Sequence, residues 1–294
     1  MRLTYKVFIA AAFYMITTQA TLAQTLAAPD STGLPGDNFS LEGALAMFKK
    51  AGSPEEFEKL INTEDNKVNN LDLNGDGEID YIKVIDKKEE GAHAFILQAA
   101  VSETENQDIA VIELEKTGKD EAVVQIVGDE DIYGDQVFVE PASEKTQTKT
   151  STPANVAVNV WAWPSVRYVY APSYVLWVSP WRWTVRPAWY RPWRPVRYHV
   201  FYPYRAPYGN HYAVVHTHRS VHAHRVYTPY RTTSVTVRTR NEASVTRYRT
   251  TRTTKTAASP HGKHVKATKK TTTVHGKRGK ATKSTTVVRK KRRQ

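Results

Sequence analysis

Residues 72–84 read DLNGDGEIDYIKV. Asp72, Asn74 and Asp76 stand at alternate positions, Gly77 falls where a loop must turn sharply, Glu78 offers a backbone carbonyl and Asp80 is ninth in the run. That is the oxygen-ligand spacing of a calcium loop, because alternate hard oxygen donors wrap one side of the ion. Ile79 supplies the apolar residue that ties such a loop to a core. The twelfth position, where an EF-hand carries a bidentate Glu, is Lys83, and the residues after the loop alternate as in a strand. The run therefore resembles the DxDxDG loops found outside true EF-hands, in which a carboxylate from elsewhere completes the shell. The competing reading is a hairpin turn, which Asn74-Gly75 and Asp76-Gly77 both signal.

A second cluster is HTHRSVHAH, with His216, His218, His222 and His224 all at even positions. On a strand the four would project from one face, an arrangement suited to a transition metal. No carboxylate is near in sequence to orient the rings, and Arg219 and Arg225 add repulsion, so the alternative is a solvated basic surface. His93, alone among the acids, reads as a strand surface residue. The chain has no GxSxG, HExxH, phosphate-cradling or dinucleotide glycine pattern, so nothing in it argues for catalysis. Between 179 and 205, SPWRWTVRPAWYRPWRPVRYHVFYPYR interleaves Trp, Tyr, Arg and Pro. Arg182, Arg191 and Arg194 suit paired donation to phosphate or carboxylate, and the aromatic rings suit sugar faces, bases or lipid headgroups. The competing reading is that the tryptophans build a core or dock onto the rest of the chain.

Charge divides the chain in two. Residues 30–145 hold 28 Asp and Glu against 10 Lys, a net −18, whereas residues 146–294 hold 30 Lys and Arg against the single acid Glu242, a net +29. With no cysteine, neither disulfides nor a lipidated thiol are available. Residues 1–23 combine a short basic start, an apolar run from Val7 to Ile16 and small residues ending in Ala23, the pattern of a cleaved export signal with no further transmembrane run.

These residues need elements to hold them. After a linker (24–37), Leu41, Ala44, Leu45 and Phe48 line one helix face, and Ser53, Pro54 and Glu56 open a second helix with Phe57, Leu60 and Ile61. After Asn66 the period becomes two, in EIDYIKVID, HAFILQAAV, DIAVIELEK and EAVVQIVGD, separated by polar turns. The prediction is an α+β domain over 38–141, two short helices covering one face of an antiparallel meander. A Thr-rich linker (142–155) leads to a Trp/Tyr/Arg/Pro/His-rich segment (156–232) that contains all seven Trp. Pro164, Pro172 and Pro180 bound short strands there, and past Pro187 extended backbone is expected. Residues 233–294 form a basic tail with a 14-residue repeat, including Lys269, Lys270, Lys290, Lys291, Arg292 and Arg293. It has too little apolar area to offset its ordering entropy, so disorder is expected.

LDLNGDGEIDYI together with VWAWPSVRYVYAPSYVLWVSPWRW, RPWRPVRY and VVHTHRSVHAHRVYTP resembles a family of exported Bacteroidetes proteins with an EF-hand-like DxNxDG loop and a Trp/Arg/Pro-rich C-terminal half. The resemblance implies an envelope or extracellular location and no settled activity. The sequence reading is an exported, non-enzymatic protein whose acidic domain binds calcium. Its basic aromatic half holds an anionic polymer (lipopolysaccharide, acidic polysaccharide or extracellular DNA), a membrane surface, or the chain's own acidic domain. The alternative is a metal-dependent enzyme or hydrolase using the histidines.

Overall fold

Ser40 and Ser53 begin the two helices the sequence predicts. Ser40 Oγ accepts the Gly43 N–H (2.9 Å) at the head of α1 (Leu41–Lys50), and Ser53 Oγ accepts the Glu56 N–H (3.1 Å) at the head of α2 (Pro54–Ile61). Glu56 reaches back to the Gly52 N–H (2.7 Å), a variant of the reciprocal cap. Leu41, Ala44, Leu45, Phe48, Phe57 and Ile61 are all buried, so both helices turn their apolar faces inward.

The computed structural model describes residues 31–142, 157–255, 265–276 and 279–290, with the backbone path alone beyond residue 250. The export segment, most of the 142–155 linker and Lys291, Arg292 and Arg293 lie outside the described residues. So do the side chains of Lys269, Lys270 and Lys290.

The four alternating runs form β1 (Ile82–Glu89), β2 (Ala92–Ala100), β3 (Asn106–Gly118) and β4 (Glu121–Gly128), each antiparallel to the next. A short helix α3 (Glu130–Tyr133) leads to β5 (Val137–Pro141). The sheet does not end there. Residues 212–215, from the basic half, form β6 (Tyr212–Val215) and pair antiparallel with β5, giving six strands in chain order. The mixed α+β architecture is thus present, with a sheet larger than the predicted meander.

Both faces of this sheet are covered, which is why every position of β2 is buried. On one face Phe95, Leu97, Ile112 and Val124 pack with Phe48 and Phe57 of α1 and α2, and with Val160, Trp163 and Val166 around α4 (Pro164–Val169). On the other, Ala94, Ile96, Val111 and Val127 pack with Ala223, Val226 and Tyr227 of α6 (Val221–Tyr227). The second cover comes wholly from the basic half, because Ala223, Val226 and Tyr227 have the i, i+3, i+4 spacing of one helix face.

Several expectations are corrected. The Trp-rich segment is mostly irregular, with single bridges at Ile85–Val178 and Arg182–Val185 in place of short strands. Past Pro187, residues 198–205 form α5 (Tyr198–Arg205) despite Pro203, because Phe201 is buried and tertiary packing outweighs local preference. The basic tail begins with a helix, α7 (Val235–Lys255), held where Val237 enters the core and Arg238 meets Asp131 (3.0 Å). Further on, the backbone of β7 (Val265–Gly276) and β8 (Gly279–Lys290) pairs antiparallel as a two-stranded ribbon, and such a pair alone is marginal in water, so it does not bear on the expectation of disorder. Among the described residues no helix is long and apolar enough to cross a membrane.

Candidate functional site

The loop before β1 is closed by its own side chains. Asp72 Oδ1 accepts the N–H of Gly75 (2.6 Å) and Asp76 (3.2 Å), and Oδ2 accepts that of Gly77 (3.0 Å). Asn74 Oδ1 accepts the Asp76 N–H (2.9 Å), and Asp76 Oδ1 accepts the Glu78 N–H (2.8 Å). Gly75 and Gly77 take φ of 76° and 83°, a left-handed backbone that glycine adopts without a Cβ penalty. Asp80 turns inward, where its Oδ2 accepts the Leu73 N–H (2.6 Å). Burial pushes its carboxyl up to about 7; the Leu73 bond opposes the shift, and the Asp72 and Asp76 carboxylates add to it. Glu78 is exposed. Arg240 of α7 donates to the Leu73 and Asn74 carbonyls. The loop's side-chain donors are all oxygen, but Asp80 faces the core, and the carboxylates of Asp72, Asp76 and Asp80 are not gathered within 4.8 Å of one another. Lys83, at the twelfth position, lies in β1 and donates to Asn106 Oδ1 (2.8 Å).

The histidines do not lie on one strand. His216 follows β6 and is exposed, His218 is in the next loop, and His222 and His224 are two positions apart on α6. Only His218 and His224 come together, and what joins them is Glu113 of β3. His218 Nε2 lies 2.6 Å from one carboxylate oxygen and His224 Nδ1 2.6 Å from the other. Among the described residues these three are the one group of His or carboxylate ligands whose donor atoms lie within 4.8 Å of one another. Sequence spacing could not reveal this carboxylate, which is 105 positions from His218. The only local signal is the pair of acids, Glu113 and Glu115, that ends the apolar run IAVIELE.

His93 is likewise corrected from surface to core. Its Nδ1 bonds Asp86 (2.9 Å), Tyr174 donates to the same carboxylate (2.7 Å), and the ring stacks on Phe95. Both side chains are fully buried, because the Trp-rich segment lies over them. Burial raises the Asp86 pKa, while the His93 and Tyr174 bonds pull it back.

The Trp-rich segment is pinned along α2, the calcium-type loop and β1. Glu58 of α2 accepts Trp177 Nε1–H (3.1 Å) and Ser179 Oγ–H (2.9 Å), and Ile79 donates to the Trp193 carbonyl (2.8 Å). Asn70 bonds both the N–H and the carbonyl of Val196, as a neighbouring strand would. Arg182, Arg191 and Arg194 are exposed; Arg191 donates to the Ala188 and Tyr190 carbonyls (both 2.8 Å). No family model, curated protein or solved structure matches this chain.

Proposed function

We propose that the protein is an exported, non-enzymatic envelope protein that holds an anionic, partly apolar surface or polymer through its Trp/Arg-rich segment, with calcium stabilising the loop at 72–80. One observation carries this reading. Thirteen large apolar side chains are exposed among the described residues, all between Tyr168 and Val235 and none within 31–142, and nine of them lie between Tyr168 and Tyr204. Valines, Trp189 and Tyr204 thus share a stretch with Arg182, Arg191 and Arg194, and no acid occurs between residues 145 and 241. Aromatic and aliphatic groups beside arginines suit the interface of an anionic lipid or lipopolysaccharide layer.

The test is binding of the full chain to lipopolysaccharide, phosphatidylglycerol vesicles, neutral vesicles, heparin and DNA. A basic residue near an anionic lipid surface contributes about 1 kcal/mol, so replacing Arg182, Arg191 and Arg194 by Ser should weaken lipopolysaccharide and anionic-vesicle binding more than tenfold. Deleting residues 255–294 should mainly weaken heparin and DNA binding and flatten its salt dependence. Equal binding of neutral vesicles, or an unaffected triple variant, would remove the segment from the role. For the loop, millimolar calcium should raise the melting temperature and Asp76→Ala should cancel the rise; an unchanged melting curve in the parent protein counts against the ion.

A second reading, a metal-dependent enzyme built on the histidines, is favoured by the meeting of Glu113, His218 and His224. Chelator-sensitive hydrolysis of ester, phosphodiester or peptide reporters by the metal-loaded chain would put it in first place.

A further inference from the structure

Glu113 projects from the sheet face that α6 covers, and its side chain is fully buried, whereas those of His218 and His224 are 21% and 27% exposed. The ionic partners that the structure gives this carboxylate are the two imidazoles, whose rings meet edge to face with centroids 4.7 Å apart. The three side chains thus form a cup with a carboxylate floor and two nitrogen donors at the rim.

The backbone that carries each histidine is held by contacts that do not involve the three donor atoms. Gln125 lies opposite Glu113 in the β3–β4 register. Its Oε1 accepts the Arg219 N–H (2.7 Å) and its Nε2 donates to the Thr217 carbonyl (2.9 Å), fixing the backbone on both sides of His218. Phe138 packs on the His218 ring at 4.9 Å. Glu115 accepts the Ala223 N–H (2.9 Å) and fixes the turn that carries His224. On β2, Ala94 stands opposite Glu113 and leaves room for it. A fixed backbone beneath each ligand keeps the three donors in place for a metal.

We propose that Glu113, His218 and His224 form a three-ligand site for a divalent transition metal of the zinc class, with the remaining coordination position open to water. Two imidazole nitrogens, one carboxylate and no sulfur suit Zn²⁺, whose bonds to nitrogen and oxygen are about 2.0–2.2 Å; a nitrogen-rich set does not suit Ca²⁺ or Mg²⁺. Around a tetrahedral ion the nitrogen-to-oxygen gaps would be roughly 3.0–3.5 Å, so the pairs now at 2.6 Å open slightly to admit the ion. The bound ion ties α6 and the loop before it to the middle of the sheet, a clip between the acidic and basic halves. It stands independently of the anionic-surface reading, since none of its residues lies in the 168–204 stretch.

The full chain, without a histidine tag and stripped with chelator, is titrated with Zn²⁺ against a chromophoric competitor, and with Co²⁺ as a spectroscopic probe. One tight equivalent is expected, with a rise in melting temperature and the intense visible bands of low-coordinate Co²⁺. Glu113→Gln and His224→Gln should each weaken this equivalent at least tenfold and abolish the bands, while His199→Gln with His211→Gln should leave them in place. If Glu113→Gln does not fold, His224→Gln decides, because that ring sits at the rim of the cup and circular dichroism in chelator reports its folding. Full Zn²⁺ affinity and an unchanged Co²⁺ spectrum in His224→Gln, or no stoichiometric equivalent in the parent, would overturn the site.

Discussion

Asp108 on β3 shows how this chain treats its buried acids. It accepts Gln98 Nε2–H (2.8 Å), Tyr227 O–H (3.0 Å) and the Thr232 N–H (2.8 Å), yet loss of water still pushes its pKa up to about 6, with Asp129 adding to the shift. Glu58, Asp86 and Asp129 are raised by burial as well. A carboxyl that holds its proton more tightly when folded contributes stability that is complete below its unfolded pKa near 4 and is lost as pH rises through the folded value. Stability from urea unfolding should therefore fall as pH rises from about 4 to about 6. Asp108 contributes on the order of 2–3 kcal/mol to that fall, at 1.36 kcal/mol per unit. Asp108→Asn should flatten the profile between about pH 4 and 6. A profile with the same slope in parent and variant would show that Asp108 does not titrate there.

At the scale of elements, Glu58 is the clasp between helix, strand and Trp-rich segment. Its carboxylate accepts Tyr81 O–H (2.7 Å) and the Val84 N–H (2.8 Å) from around β1, as well as the Trp177 and Ser179 donors. Removing the acceptor strands four donors, and each buried unpaired group costs about 1–3 kcal/mol. Glu58→Ala should thus destabilise by about 4 kcal/mol or more, and shift tryptophan emission to the red as Trp177 gains water. Glu58→Gln, which keeps one acceptor oxygen, should lie between. Parent-like emission and stability in Glu58→Ala would mean that the segment is held by packing alone.

On the scale of the molecule, the described residues of the acidic half and the basic half up to Val237 share one core. Cations of the basic half meet acids of the other at Arg205–Glu42, Arg219–Glu140, Arg231–Asp129 and Arg238–Asp131. Salt screens exposed pairs over about 10 Å at 0.1 M, but the β5–β6 ladder and the apolar contacts of α4 and α6 are not screened. A chain ended at residue 145 should therefore lose its sharp thermal transition, because the second sheet face and the β5 edge become bare. In the intact protein the two halves should stay docked in 0.5 M NaCl, as read by protease protection of α6. A truncated chain that melts at the full-length temperature would show the acidic half to be self-sufficient.

Short-range features were legible in the sequence. The serine caps, the 3.6-residue spacing of Leu41 to Phe48, and the change of period after Asn66 act over a few residues, so α1, α2 and β1 to β4 could be read directly. The Asx-turn chemistry of Asp72 to Glu78 is local too, and both its glycines fall where the left-handed backbone needs them. What spans the chain was not legible. The meeting of Glu113 with His218 and His224, the burial of His93, the enclosure of Glu58 by Trp177 and Ser179, and the sixth strand all join residues separated by other elements. Spacing carries no record of which face a distant segment will cover, and the alternation of β2 looked the same whether one side or both were dry. Tertiary docking decided it, because Trp161, Trp163, Trp177 and the apolar face of α6 are lower in free energy against the sheet than in water.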